Sequence, residues 1–348
     1  MNQTFFLRAA AVCCAALILS SCGKAGLFRD GMVHFSVDAR GGGPFTRASF
    51  SGETGADGIE RIDWQRGDLI RICSRQALPA DGEGTPEADY RISSVHSGSE
   101  ANHASIERSG NKGLAWGTGN HDFYAVYPSP SIMEGTSLEY DVYTGSIPAT
   151  QTLVWKDGTG VPSADGLVLL AAAKEVEEQS NVHLVFQPAF TALEFNLSLE
   201  DKNPVYLAGC RLESAGGPVS GTFSLRMGQD TGTGRLTDHS TVSPVEGSTS
   251  VTVPLDQTLT RDHPVTFTLL CLPLELSGLQ VVFDTVFGTK TLILNRKDGS
   301  PLSIPAGTKA RISGIVMPGA PDITFTIDSF IPWSEEQTER EAESPFNR

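Results

Sequence analysis

The sequence predicts an all-β protein built of antiparallel sandwiches, and three observations carry that prediction. Apolar and polar residues alternate with period two through much of the chain, the signature of half-buried strands. Clusters rich in Gly and Pro separate the alternating runs, at Gly41-Gly42-Gly43-Pro44, Asp81 to Pro86, Asp157 to Gly166, Gly228 to Gly234 and Asp298-Gly299. Helical signals are scarce. Short strands joined by such turns are the pattern of antiparallel sandwiches.

In chain order, the first feature is Arg8, an apolar run from Ala9 to Leu19, and then Leu19-Ser20-Ser21-Cys22. A basic flank, an apolar core and small residues make the plan of an export signal, here residues 1–21. A cysteine after Leu-Ser-Ser makes it the lipoprotein version, in which Cys22 takes up acyl chains such as palmitate and becomes the new N-terminus. An ordinary secretory signal ending near a cysteine is the alternative. The run is too short to cross a hydrocarbon layer of ~30 Å. Everything from Cys22 onward is then expected outside the cytoplasm, tethered to the outer membrane by lipid.

The first alternating run sets Val33, Phe35, Val37 and Ala39 against His34, Ser36 and Asp38. A loop follows with Arg40, three glycines, Pro44 and Thr46-Arg47-Ala48. A strand separated from its domain by a basic, flexible loop is released by a trypsin-like cut. Loss of a strand bares unpaired backbone groups and an apolar groove, which a strand donated by another subunit fills.

Arg66-Gly67-Asp68 spells an integrin-binding tripeptide, but between Trp64 and the run Leu69 to Cys73 it reads as a turn feeding a strand. His121-Asp122 offers an acid–base pair. Its setting in His121 to Pro128 reads better as a buried aromatic strand ended by proline. Leu169 to Gln179 has helical propensity without an amphipathic stripe, and its state is left open. The polar stretch Glu175 to Asn181 precedes a fresh series of strands, so a domain break is placed at 180/181. Domains are expected over 48–180 and 181–333. In the second, Leu193 to Leu199, Val265 to Cys271 and Ile323 to Ile327 alternate. Residues 334–348 read as a polar tail, although Ser334 and Gln337 have capping-box spacing.

The 348 residues carry a net charge of -15, which excludes nucleic acid as a partner. Of six cysteines, Cys13 and Cys14 leave with the signal and Cys22 is used by lipid. Cys73, Cys210 and Cys271 form no C-x-x-C pair and are expected as buried thiols rather than a disulfide or zinc set. The seven histidines are spread singly, with no ligand spacing. The acidic loops Asp81 to Asp89 and Asp157 to Asp165 lack EF-hand order, so no metal and no cofactor is expected. There is no G-x-S-x-G elbow, P-loop or dinucleotide fingerprint, and no enzyme activity is expected. A hydrolase with two carboxylates meeting in space has no motif behind it. Trp116 and Trp155 sit in loop-like places where exposed rings would stack on sugars, and burial is the preferred reading.

On these residues the chain resembles the fimbrillins of Bacteroidales type, the FimA-like and Mfa-like subunits of type V fimbriae. The likeness rests on Leu19 to Cys22, Thr46-Arg47-Ala48, Trp64 to Ile70, Phe123 to Pro128, Val182 to Leu197, Pro305-Ala306-Gly307 and Ile323 to Trp333. It implies a lipoprotein precursor with two transthyretin-like (Greek-key) β-sandwich domains and no catalytic residues. It further implies that an arginine-specific protease cuts between Arg47 and Ala48, or alternatively after Arg40, and releases the lipidated propeptide 22–47. The partners implied are other fimbrial subunits joined by strand exchange, with Ile323 to Ile331 as the donor candidate. Stalk, anchor and tip subunits share the fold, so a tip adhesin or surface lipoprotein binding glycans or a host protein is the competing role.

Overall fold

Alternating burial begins with the first strand, β1 (Phe35–Ala39), whose odd-numbered side chains are buried while Ser36 and Asp38 remain half-buried. The computed structural model of the chain describes residues 31–39, 49–54, 60–96, 103–156, 158–163, 167–179, 181–228, 243–286, 288–294, 302–304, 307–316 and 323–332. Among the described residues every regular element is a strand.

β2 (Ser49–Thr54) pairs with β3 (Glu60–Asp63). β4 (Leu69–Cys73), β6 (Glu87–Val95) and β7 (His103–Arg108) are antiparallel neighbours, with the short β5 (Leu78–Pro79) bonded to β8 (Leu114–Ala115). β9 (His121–Tyr127) is almost wholly buried and stops at Pro128, which has no backbone N–H to extend a ladder. β10 (Ser137–Glu139) with β11 (Val142–Ile147), and β12 (Leu153–Lys156) with β13 (Thr159–Pro162), are adjacent antiparallel pairs. On β13, Gly160 leaves room for the Trp155 ring lying over it; a Cβ there would meet the ring at 2.8 Å. β14 (Leu169–Val176) and β15 (Val182–Pro188) complete the first half.

The second half is β16 (Thr191–Leu199), β17 (Val205–Ser214), β18 (Ser220–Arg226), β19 (Ser243–Ser248), β20 (Ser250–Leu259) and β21 (Val265–Cys271). It ends with β22 (Leu279–Thr285), β23 (Gly288–Ile293), β24 (Thr308–Val316) and β25 (Ile323–Pro332).

Two apolar cores organise these strands. The first fills a closed barrel in the order β1-β15-β14-β9-β4-β6-β7, with β7 returning to β1. Leu138, Tyr143, Ile147, Phe223 and Leu225, from the sheet β10-β11-β18-β19, join that core from outside. The second core lies between the sheets β12-β13-β21-β16-β24-β25 and β20-β17-β22-β23. Phe195 and Phe267 stack there at 5.2 Å, with Phe283 edge-on to both at 6.3 Å.

The all-β expectation holds throughout the described residues, but three ladders are parallel rather than antiparallel: β1 on β15, β13 on β21 and β16 on β24. Alternation reports which face is buried, not the direction of a neighbour. The open stretch Leu169 to Gln179 contains a strand, β14, because Leu169, Leu170 and Ala171 are buried against β9 and packing overrides helical propensity. The break expected at 180/181 precedes β15, which is a barrel strand. The cores interleave along the chain: within β16 Ala192 belongs to the first and Leu193 to the second, Leu153 of β12 already belongs to the second, and Phe223 of β18 returns to the first.

Candidate functional site

The barrel is closed by its first strand. β1 bonds to two strands that lie far from it in sequence, parallel to β15 from Phe35↔Val182 to Ala39↔Phe186 and antiparallel to β7 from Ser36↔Ser105 to Asp38↔His103. Its approach is held by the Val33 N–H, which donates to the Leu114 carbonyl at 2.9 Å.

The inner face of β1 is apolar. Val33, Phe35, Val37 and Ala39 are all at most 4% exposed. The Phe35 ring meets Tyr90 at 5.1 Å and Phe123 at 5.2 Å, both edge to face, an arrangement favoured by ring quadrupoles. Full burial of a Val or Phe side chain is worth about 1.5–3 kcal/mol, so the groove under β1 is expensive to leave empty.

The outer face is polar and ordered. Asp38 stands between two imidazoles, with His103 Nδ1 at 2.5 Å from Oδ1 and His183 Nε2 at 3.1 Å from Oδ2. A carboxylate only accepts, so both ring nitrogens present N–H groups to it. Ser36 Oγ lies 3.1 Å from His183 Nδ1 and accepts from Asn181 Nδ2 at 2.7 Å. Partial burial pushes the Asp38 carboxyl up, but hydrogen bonds from His183 and His103 outweigh it and hold the group below its ordinary value. β1 is thus tied to both neighbours by side chains as well as backbone.

The other expected sites fall as follows. Cys22, Arg40, Arg47 and Ala48 lie outside the described residues, as do the signal segment 1–21 and the tail 334–348. Asp68 of the Arg66-Gly67-Asp68 turn is buried; its carboxylate accepts from the Gln65 N–H at 2.9 Å and the Tyr127 hydroxyl at 3.1 Å. That aspartate anchors the turn and does not face a receptor. His121 is 1% exposed, accepts from the Gly117 N–H at 2.9 Å and lies flat on Phe123 at 5.7 Å. It is a core residue of an aromatic strand. Cys73, Cys210 and Cys271 are buried free thiols. Trp116 and Trp155 are partly buried, each packed against one of the cores.

Sequence reasoning missed His103 and His183. Both stand alone in the chain, and only the pairing of β1 with β7 and β15 brings them to one carboxylate. It also missed a polar pocket of about 290 Å³ lined by Arg75, Gln76, Asp122, Tyr124, Asp141 and Arg226. There Arg226 bonds to Asp141, and Arg75 lies 3.7 Å from the same carboxylate.

A family model described as fimbrillin-like matches residues 46–328. The chain belongs to the fimbrillin-like family. The matched region begins just after β1 and leaves the closing strand outside it. Among solved structures, this fimbrillin-like chain is similar to a candidate cell adhesion protein from Bacteroides uniformis, at 14% identity and a TM-score of 0.52, with 86% of this chain and 98% of the other covered. A second candidate cell adhesion protein, from Bacteroides ovatus, gives 14% identity and a TM-score of 0.51 over 87% and 98% of the two chains. At such identity the likeness is one of fold. None of the curated proteins compared with this fimbrillin-like sequence matches it.

Proposed function

We propose that the protein is a structural or adhesive subunit of a cell-surface fimbrium, made as a lipoprotein precursor and assembled by strand exchange. The carrying observation is the position of β1. It closes the first barrel, and it is the earliest strand among the described residues, ahead of β2. The intervening segment holds Arg40 and Arg47, and the family match begins at residue 46.

In this reading Cys22 carries the lipid, an arginine-specific protease cuts after Arg47 (or after Arg40), and lipid and strand leave together. The emptied barrel then presents unpaired groups on β7 and β15 and the apolar places of Val33, Phe35 and Val37. A strand from a neighbouring subunit fills them. The two cores correspond to two sandwich-type domains of transthyretin-like kind. Chemistry plays no part in this role, and the protein acts by assembly at the outer membrane surface.

Purified precursor treated with an arginine-specific protease tests the reading. Multimers made of chains that begin at Ala48 are expected; a cut chain that stays monomeric overturns it. A second reading, an anchored lipoprotein that binds a glycan or host protein, draws on the pocket between Arg75, Asp122, Asp141 and Arg226, whose paired charges and Tyr124 suit a polyhydroxylated ligand. A glycan array on which Asp141→Ala binds as well as the parent would remove it.

A further inference from the structure

Three clusters of charge among the described residues are closed on themselves. Arg71 commits Nε and Nη2 to Asp89 and Nη1 to Glu87, and the Ser129 hydroxyl donates to the same Asp89. Glu194 takes Lys309 on one oxygen and Arg311 on the other. Asp38 is shared between His103 and His183. The pocket of about 290 Å³ beside Tyr124 differs, because donors are left over in it.

Asp122 and Tyr124 lie two apart on β9 and so share the face opposite Phe123 and Ala125. β4 ends beside them, with Cys73 opposite Tyr124, and leads into Arg75 and Gln76. Asp141 sits in the two-residue turn between β10 and β11, where Tyr140 takes a φ of 55°, and Arg226 ends β18 opposite Val142. Both carboxylates are engaged: Asp122 Oδ1 accepts from the Glu175 N–H at 2.8 Å, and Asp141 takes Arg226, with Arg75 at 3.7 Å. Gln76 Oε1 accepts from the Ser74 hydroxyl and the Asp122 N–H, both at 3.3 Å, which leaves the amide N–H groups of its side chain over. Tyr124 is 6% exposed, and its hydroxyl has no hydrogen-bond partner among the described residues. Burial, helped by Asp122 and Asp141, pushes that hydroxyl up to about 12, so it keeps its proton and donates. Arg75 stands over the Tyr140 ring at 4.3 Å and makes no hydrogen bond among the described residues, so its whole fork of N–H groups is unspent.

We propose that this pocket binds the carboxylate-bearing sugar residue of an acidic glycan, with Arg75 reading the carboxylate. The planar guanidinium suits two parallel bonds to a carboxylate, while Gln76 and Tyr124 donate to hydroxyl oxygens and the second Asp122 oxygen accepts from a hydroxyl. The volume lies at the small end of small-molecule sites, about 300–1,000 Å³, and takes a single sugar residue with the rest of the glycan in solvent. A neutral sugar leaves the Arg75 fork without an acceptor of opposite charge. A peptide C-terminus brings the same carboxylate, but sets a backbone and side chains against a lining with no aliphatic residue in it. The inference rests on the glycan-binding reading and adds to it the charge of the ligand and the side chain that selects it.

Ligand-observed NMR titration of the uncut chain tests this with four probes: glucuronic acid, N-acetylneuraminic acid, glucose and N-acetylglycylglycine. At least one of the two acid sugars is expected to bind tenfold or more tightly than glucose, and the tighter acid identifies the kind of glycan. Arg75→Gln is expected to weaken acid-sugar binding at least tenfold, as for a lost bond between charged groups, and to leave glucose unchanged. Tyr124→Phe is expected to weaken the acid sugar about threefold, as for a lost neutral hydrogen bond. The Arg75 side chain is 64% exposed, so its replacement should leave the denaturant midpoint where it is in the parent. Equal binding of glucose and the acids overturns the charge selection and leaves the glycan reading standing. Tighter binding of the dipeptide than of either acid overturns the sugar, and unchanged acid binding by Arg75→Gln overturns the site. Silence of all four probes removes the inference and the glycan reading together, while assembly by strand exchange is untouched by any of these results.

Discussion

Asp38 shows how one side chain ties the removable strand to the barrel. Replacing it with Ala removes the acceptor shared by His103 and His183, and the half-exposed rings then donate to water. A loss of about 1 kcal/mol is expected, because solvent around the two imidazoles screens the interaction, and denaturant unfolding of the uncut chain measures it. The pH dependence follows from the lowered value of the carboxyl in the folded state. A lowered carboxyl stabilises above its unfolded value, near 3.9, and that contribution fades as pH falls through the folded value. The parent chain should therefore lose stability relative to Asp38→Asn below about pH 4. A gap that does not change between pH 5 and pH 2 contradicts this. The thiols give a second check at this scale. Burial pushes Cys73 up to about 12 and raises Cys210 and Cys271 as well, so none should react with an aromatic disulfide reagent until the chain unfolds. Buried cysteines and the turn at Gly67-Asp68 were legible in the sequence, from the lack of paired spacing and from the neighbouring Trp64. The histidine pair was not. Histidines on separate strands carry no spacing signal, since the ladder that joins them is set by the whole barrel.

At the scale of the element, β1 contributes through one buried face and two ladders. Val37 is 0% exposed, and Val37→Asp would bury a charge with no partner. A loss of 3 kcal/mol or more is expected, with the barrel open to a dye that binds apolar surface. Ile293→Asp on the edge strand β23, at a side chain 65% exposed, should stay within about 0.5 kcal/mol of the parent. Equal effects at the two positions would contradict the assignment of β1 as a core strand. The alternation of Val33 to Ala39, Leu193 to Leu199 and Val265 to Cys271 reads directly from the residues, because period two reports a half-buried strand. The neighbours of each strand do not. β1 lies between β7 and β15, and its pairing is decided by which strands leave an edge open. Leu169 to Ala173 lacks alternation because consecutive residues from Leu169 to Ala172 are all buried, and a short apolar run does not separate helix from strand.

At the scale of the molecule, two apolar cores organise the described strands. β1 belongs to the first core, and β25 lies at an edge of the sheet β12-β13-β21-β16-β24-β25. On the proposed strand exchange, each subunit accepts a strand from one neighbour and gives one to another, which builds an open chain of copies rather than a closed pair. A net charge of -15 works against chance association of unassembled copies. The most direct measurement is the intact mass and N-terminal sequence of the chain taken from assembled material on the cell surface. A subunit that begins at Ala48, without lipid and without residues 33–39, is the predicted result. Assembled chains that still begin at an acylated Cys22 and retain β1 would contradict the account.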